Sequence, residues 1–120
     1  MSDKYSETWE KYVASWGAES STEKRALYQL CLDSDFKYND PLIKTKGWDE
    51  LIDYMMDFKK QIPGGHFVTT YFLSHSHKSI AKWEMRNGEN VTLSEGISYG
   101  EHNQEGKLIS ETGFFEPPES

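Results

Sequence analysis

The chain has 120 residues and a mass of 13.9 kDa, a length that holds one domain with a real core and excludes a second. Thirteen Lys and Arg against twenty Asp and Glu give a net charge of −7. That balance argues against a nucleic-acid partner, whose phosphates need a cationic face, and against an anionic membrane surface.

Mean hydropathy is −0.78, yet aromatic residues make up 14% of the chain, too many for a disordered polymer. A small core built on large rings is the expectation. Cys31 is the single cysteine, so neither an intrachain disulfide nor a cysteine-based metal cluster is available. The first residues carry Asp3, Lys4, Glu7, Glu10 and Lys11 with no apolar h-region, and no stretch approaches the roughly 18–20 apolar residues of a membrane span. A soluble protein of the reducing cytoplasm is expected, in which the Asn90-Val91-Thr92 acceptor triplet has no role.

In chain order, Tyr5, Trp9, Tyr12, Val13 and Trp16 form one helical stripe that Gly17 ends. Ser20 followed by Glu23 is a capping-box pattern opening a second helix, with Ala26, Leu27, Leu30 and Cys31 on its apolar face. Asp33-Ser34-Asp35 breaks it, and Phe36-Lys37-Tyr38 alternates as a short strand into Asn39-Asp40-Pro41. A third helix follows Gly47, with Trp48, Leu51, Ile52, Met55, Phe58 and Ile62 in register, and Pro63-Gly64-Gly65 stops it.

The remainder reads as strands. Phe67–Ser74 and Ile80–Arg86 flank a polar turn, and Asn87-Gly88 is a hairpin signal. Val91–Glu101 and Leu108–Phe115 follow, joined through His102–Lys107, and Pro117-Pro118 ends the sheet. Helices segregated from a four-stranded meander define α+β rather than α/β. The expected architecture is a cone-shaped half-barrel, three helices on a curved antiparallel sheet, as one domain over 1–120 with its core at about 5–116. A hollow between such layers is where small molecules bind.

Several residues read as structural on their own. His75 and His77 sit at i, i+2, but without a third ligand at a recognisable spacing they form a polar pair near a turn rather than a metal site. His66 and His102 read as turn residues, and Cys31 as an inert buried thiol. Trp83 shares a strand face with Ala81 and Met85, a core position that also suits a ligand platform. No G-x-S-x-G, phosphate-binding glycine loop or HExxH is present.

The element order, with Lys11-Tyr12-Val13-Ala14, Tyr38-Asn39-Asp40-Pro41, Pro63-Gly64, Gly96-Ile97-Ser98-Tyr99 and Gly113-Phe114-Phe115, resembles the nuclear transport factor 2-like superfamily in its SnoaL-like and ketosteroid-isomerase-like branch, a cystatin-like α+β roll. The resemblance runs from about Trp9 to Phe115. It implies an oxyanion-binding Tyr at Tyr12 and a general base at Asp40. Ser98 falls where those isomerases carry a protonated Asp, and a hydroxyl donates a weaker hydrogen bond. Trp16, Trp48, Phe58 and His75 are expected around the cavity, as are Trp83, Ser98, Glu111 and Phe115.

Each of the two leading residues has a plainer reading. Asp40 alone would suit a surface Asx-Pro turn, and Tyr12 a core tyrosine bonded to a backbone carbonyl. Glu111 shares a strand face with Ile109, Gly113 and Phe115. It is a second acid/base group, or pairs with a cation, or lies on a solvated stretch near the strand's start, the reading that sequence favours. The resemblance implies proton transfer α to a carbonyl of an apolar, steroid- or polyketide-like molecule, with no metal or organic cofactor. The alternative is a non-catalytic hydrophobic-ligand-binding or structural module. A homodimer through the sheet is expected, whereas an adaptor function finds no apolar stripe in the sequence to support it.

Overall fold

The computed structural model describes residues 4–117; Pro118, expected at the end of the sheet, lies outside them. Helix α1 (Lys4–Gly17) and helix α2 (Ser21–Cys31) lead into strand β1 (Leu32–Asn39), strand β2 (Lys44–Lys46) and helix α3 (Trp48–Gln61). Strands β3 (His66–His75), β4 (Lys78–Arg86), β5 (Thr92–His102) and β6 (Leu108–Phe114) complete the chain. Three helices pack on one unclosed six-stranded sheet of order β2-β1-β6-β5-β4-β3. The fold is α+β. The sheet, however, is mixed rather than antiparallel, because β1 runs parallel to β6, a pairing that no local pattern announces.

Helix α1 buries the expected stripe of Trp9, Tyr12, Val13 and Trp16. It has no basic residue in its last turn, so its free carbonyls and negative dipole end need cations from elsewhere. Lys24 Nζ donates to Ser15 O at 2.8 Å and Ala18 O at 2.9 Å, and Lys59 Nζ donates to Gly17 O at 3.2 Å. Two lysines from other helices thus cap the first one.

That duty overturns the expected apolar face of α2. Lys24, Tyr28 and Cys31 are its buried residues, while Leu30 is exposed and Ala26 with it. The Ser20 cap forms as expected, accepting from Glu23 N at 3.1 Å, but the Glu23 carboxylate reaches back to Glu19 N at 3.2 Å. The expected break at Asp33-Ser34-Asp35 is absent, since β1 starts directly at Leu32. Tyr28, Cys31, Leu32, Leu51, Met55 and Leu108 are fully buried beneath the helices. Burial pushes the Cys31 thiol up to about 12, which leaves it inert at neutral pH.

The β3–β4 hairpin closes through Ser76 and His77, both at positive φ (49° and 63°), the backbone of a tight turn whose twist suits flanking strands. The Asn87-Gly88 signal does not form such a two-residue turn. Asn87 Oδ1 accepts from Glu89 N and Val91 N at 2.9 and 3.0 Å, and Asn90 rather than Gly88 takes positive φ. Register shifts between Thr69 and Tyr71 in β3 and between Met85 and Arg86 in β4 bend the sheet. The bend opens a hollow beneath α1 and α3. No helix among the described residues is long and apolar enough to cross a membrane.

Candidate active site

The hollow is a cavity of about 390 Å³, within the range of small-molecule sites. Aromatic rings make much of its wall. Trp16 is the hub, meeting Tyr12, Tyr38, Tyr54, Phe58 and Phe67 with ring centroids 5.2–6.5 Å apart. The rings support one another instead of filling the space. Trp83 contributes from β4, and its ring lies over β5 because residue 96 is glycine: a Cβ there would stand 2.2 Å from Trp83 Cζ2.

Two carboxyl groups, Asp40 and Glu111, lie within this apolar wall, and two more, Asp57 and Glu116, stand exposed along its edge. Asp40 opens the loop between β1 and β2, where Pro41 holds its backbone extended. Its Oδ1 accepts from Leu42 N at 2.7 Å and Ile43 N at 3.1 Å. Oδ2 accepts from the phenols of Tyr38 at 2.5 Å and Tyr54 at 2.7 Å. Four donors on two oxygens leave no lone pair for a proton, so the arrangement is that of a carboxylate. The Asx-turn and the cavity reading are therefore both realised, one on each oxygen.

Glu111 lies deeper, only 2% exposed, which corrects the expectation of a solvated strand start. The residue pairs across the parallel ladder with Tyr38 and so lies inside the fold. The Tyr12 hydroxyl donates to its Oε2 at 3.1 Å, and Ser98 also hydrogen-bonds it. Ser98 Oγ in turn accepts from Trp83 Nε1 at 3.0 Å. Burial, opposed by these hydrogen bonds and aided by the nearby negative charge of Asp40, pushes the Glu111 carboxyl up to about 8. The shift favours the neutral acid at pH 7. Burial, and the charge of Glu111 once it ionises, also hold the Tyr12 phenol well above its ordinary range, keeping it a hydrogen-bond donor. Gly113 separates the two acids: a Cβ built there would lie 3.6 Å from Asp40 Cβ and 3.7 Å from Glu111 Oε1.

Asp40, Tyr12, Trp16, Phe58, Trp83 and Ser98 all line the cavity, together with Glu111 and Phe115. Trp48 and His75 do not. Trp48 faces α2 and β1, its Nε1 donating to Asp33 O at 2.9 Å and its ring against Tyr28. His75 is exposed at the far end of β3, and His77 has turned off the strand to meet the Tyr5 hydroxyl at 3.1 Å. His102, read as a turn residue, is buried instead, between Ser79 Oγ at 2.9 Å and Gly106 O at 2.9 Å.

Sequence reasoning missed the phenols of Tyr38 and Tyr54 as partners of Asp40. Tyr38 sits two residues before Asp40 and so returns to its side of the strand, a signal that was available. Tyr54 reaches it only through the packing of α3.

No known protein-family model and no curated protein matches the sequence. Solved structures do match in shape. A candidate isomerase of the SnoaL-like family from Agrobacterium tumefaciens superposes with a TM-score of 0.85 at 20% identity, covering 95% of this chain and 98% of its own. A candidate SnoaL-like polyketide cyclase from Jannaschia gives 0.75 at 12% identity, over 94% and 85% of the two chains. An NTF2-like protein of unknown function from Cytophaga hutchinsonii gives 0.72 at 11%, over 98% and 94%. The chain has the NTF2-like, SnoaL-like fold. At such identities the likeness defines architecture and not activity, since this fold hosts unrelated functions.

Proposed function

We propose that the cavity binds an apolar small molecule and moves a proton α to its carbonyl group, with the Asp40 carboxylate as general base. The observation that carries this reading is the pair of acids flanking Gly113 in unlike surroundings, Asp40 accepting from four donors and Glu111 buried with Tyr12. Environments that set two carboxyl groups apart assign one as base and the other as acid. Asp40 Oδ2 takes the α-proton as one phenol, Tyr38 or Tyr54, turns its own hydrogen away and accepts. The enolate oxygen that develops is met by the Glu111 carboxylic acid, itself held by Tyr12 and Ser98, so that negative charge arising in a dry site finds a donor already in place. The chain's own side chains supply both roles. A steroid- or polyketide-like body suits the ring-lined wall.

The test is deuterium uptake. A Δ5-3-ketosteroid and a set of polycyclic ketones incubated in D2O with the protein gain deuterium at the α-carbon, read by mass spectrometry, and Asp40→Asn abolishes the gain. Exchange that persists in the variant within a few-fold removes Asp40 as the base.

A second reading, a binding module without turnover, is favoured by one observation: all four acceptor positions of Asp40 are already occupied. Ligand binding without exchange in any ketone would select it.

We also propose that two copies pair through the outer face of the sheet. Tyr71 and Leu73 on β3, Ile80 on β4, Ile97 on β5 and Phe114 on β6 are exposed there. The ladder sets Tyr71, Lys82, Ile97 and Phe114 side by side across four strands. This is the apolar stripe that sequence did not reveal, and contiguous exposed apolar surface of this kind marks an interface. A cytoplasmic setting suits the single buried thiol.

A further inference from the structure

We infer that the carbonyl compound bound in this cavity also carries a positive charge: an amine, protonated or quaternary, on its apolar body. This inference rests on the cavity being a ligand site, as proposed above, and names the class of ligand.

The argument starts from charge. Asp40, Asp57, Glu111 and Glu116 line the cavity, and no Lys, Arg or His does. Asp57 and Glu116 are exposed, at the mouth. Lys59, two residues from Asp57 on α3, is turned to the other side, bonded to Gly17 O and to Glu19 Oε1 at 3.1 Å. Among the described residues, none of the salt bridges involves a carboxyl group of the cavity. Asp40 accepts from four hydrogen-bond donors but takes part in none of these salt bridges, so the attraction between its charge and a bound cation has not already been taken up by a side chain.

The wall adds a second, independent attraction. Trp16, Tyr38, Tyr54, Phe58 and Trp83 present electron-rich rings, and a cation over such a face is stabilised most where water is excluded. Rings alone would accept neutral molecules equally. Carboxylates alone would hold a hydrated ion at the surface. A ring-lined hollow under an acidic mouth discriminates for the organic cation and against anions, which the net charge of −7 also repels at a distance.

The test uses three probes with one shape: 1-adamantylmethylammonium, 1-adamantylmethanol and 1-adamantanecarboxylate. Titration is followed by calorimetry and by tryptophan fluorescence, since Trp9, Trp16 and Trp83 face the cavity. At low salt the ammonium is expected to bind at least tenfold more tightly than the alcohol, and the carboxylate most weakly. The Asp57→Asn/Glu116→Gln double variant, altered only at exposed positions, is expected to shrink the ammonium-to-alcohol ratio several-fold. Added salt is expected to shrink the same ratio in the unaltered protein. An alcohol that binds as tightly as the ammonium, or a ratio that neither salt nor the variant moves, overturns the inference while the cavity remains a ligand site. Failure of all three probes to bind overturns the ligand site, and the inference falls with it.

Discussion

The hydroxyl of Tyr12 donates to Glu111 Oε2 at 3.1 Å, joining the first helix to the last strand at the floor of the cavity. Both groups are almost wholly buried, so water replaces a lost partner poorly. Tyr12→Phe removes the donor and leaves the acid with Ser98. A buried hydrogen bond of this type contributes about 1 kcal/mol, and the stranded acceptor adds to the loss. We expect the variant to lose about 1–2 kcal/mol in urea denaturation. Unchanged or increased stability would show that the bond does not hold the helix to the sheet.

Glu111 also sets a pH dependence. Its carboxyl is pushed up to about 8 in the folded chain, chiefly by burial, and in the unfolded chain it ionises near the ordinary carboxylate value of about 4.3. Between those values the native state holds a proton that the unfolded state has released, so stability is greatest at the acid end and falls as pH rises. The slope for one proton approaches about 1.4 kcal/mol per pH unit. Lys24 works in the opposite sense but only above its lowered value of about 8. Urea midpoints from pH 5 to 7.5 should therefore decline in the wild type beyond any common trend, and Glu111→Gln should remove that excess slope. Equal slopes in the two proteins would place the proton elsewhere.

Lys24 is fully buried although it is a charged residue in the first half of α2. Lys24→Met keeps much of its apolar stem and strands the carbonyls of Ser15 and Ala18. Each orphaned acceptor costs roughly 1–3 kcal/mol, partly offset by no longer burying an ammonium. A net loss of about 1–3 kcal/mol is expected from thermal or urea unfolding. A variant more stable than wild type would mean that desolvation of the ammonium outweighs the capping.

The outer sheet face gives a prediction about assembly. Phe114 is 58% exposed on β6, aligned with Ile97 of β5. Sedimentation at micromolar concentration should show a dimer, and Phe114→Lys should shift it towards monomer without altering the circular dichroism spectrum. A monomeric wild type would remove the interface.

Much of this molecule was legible in its sequence because the signals were local. The apolar stripes of α1 and α3, the Ser20 cap and the Pro41 loop follow from spacing and from single side chains with fixed stereochemistry. What was not legible depended on distant partners. The face of α2 turned on Lys24 serving the end of another helix. The burial of Glu111 turned on a parallel pairing of β6 with β1, and Trp48 faced away from the cavity because Asp33 O and Tyr28 offered it a site on the other side. Asp40 could be singled out from Asn39-Asp40-Pro41, but Tyr54 joins it only once α3 is packed.

The most direct test of the acid–base pairing is a carbon-13 NMR titration of the Glu111 side-chain carboxyl, assigned by comparison with Glu111→Gln. The structure predicts that this carbon titrates with a midpoint near 8, leaving Glu111 a neutral donor at pH 7. A midpoint at or below about 5, the range of an ordinary glutamate, would make Glu111 an anion at pH 7 and would contradict the division of roles between Asp40 and Glu111.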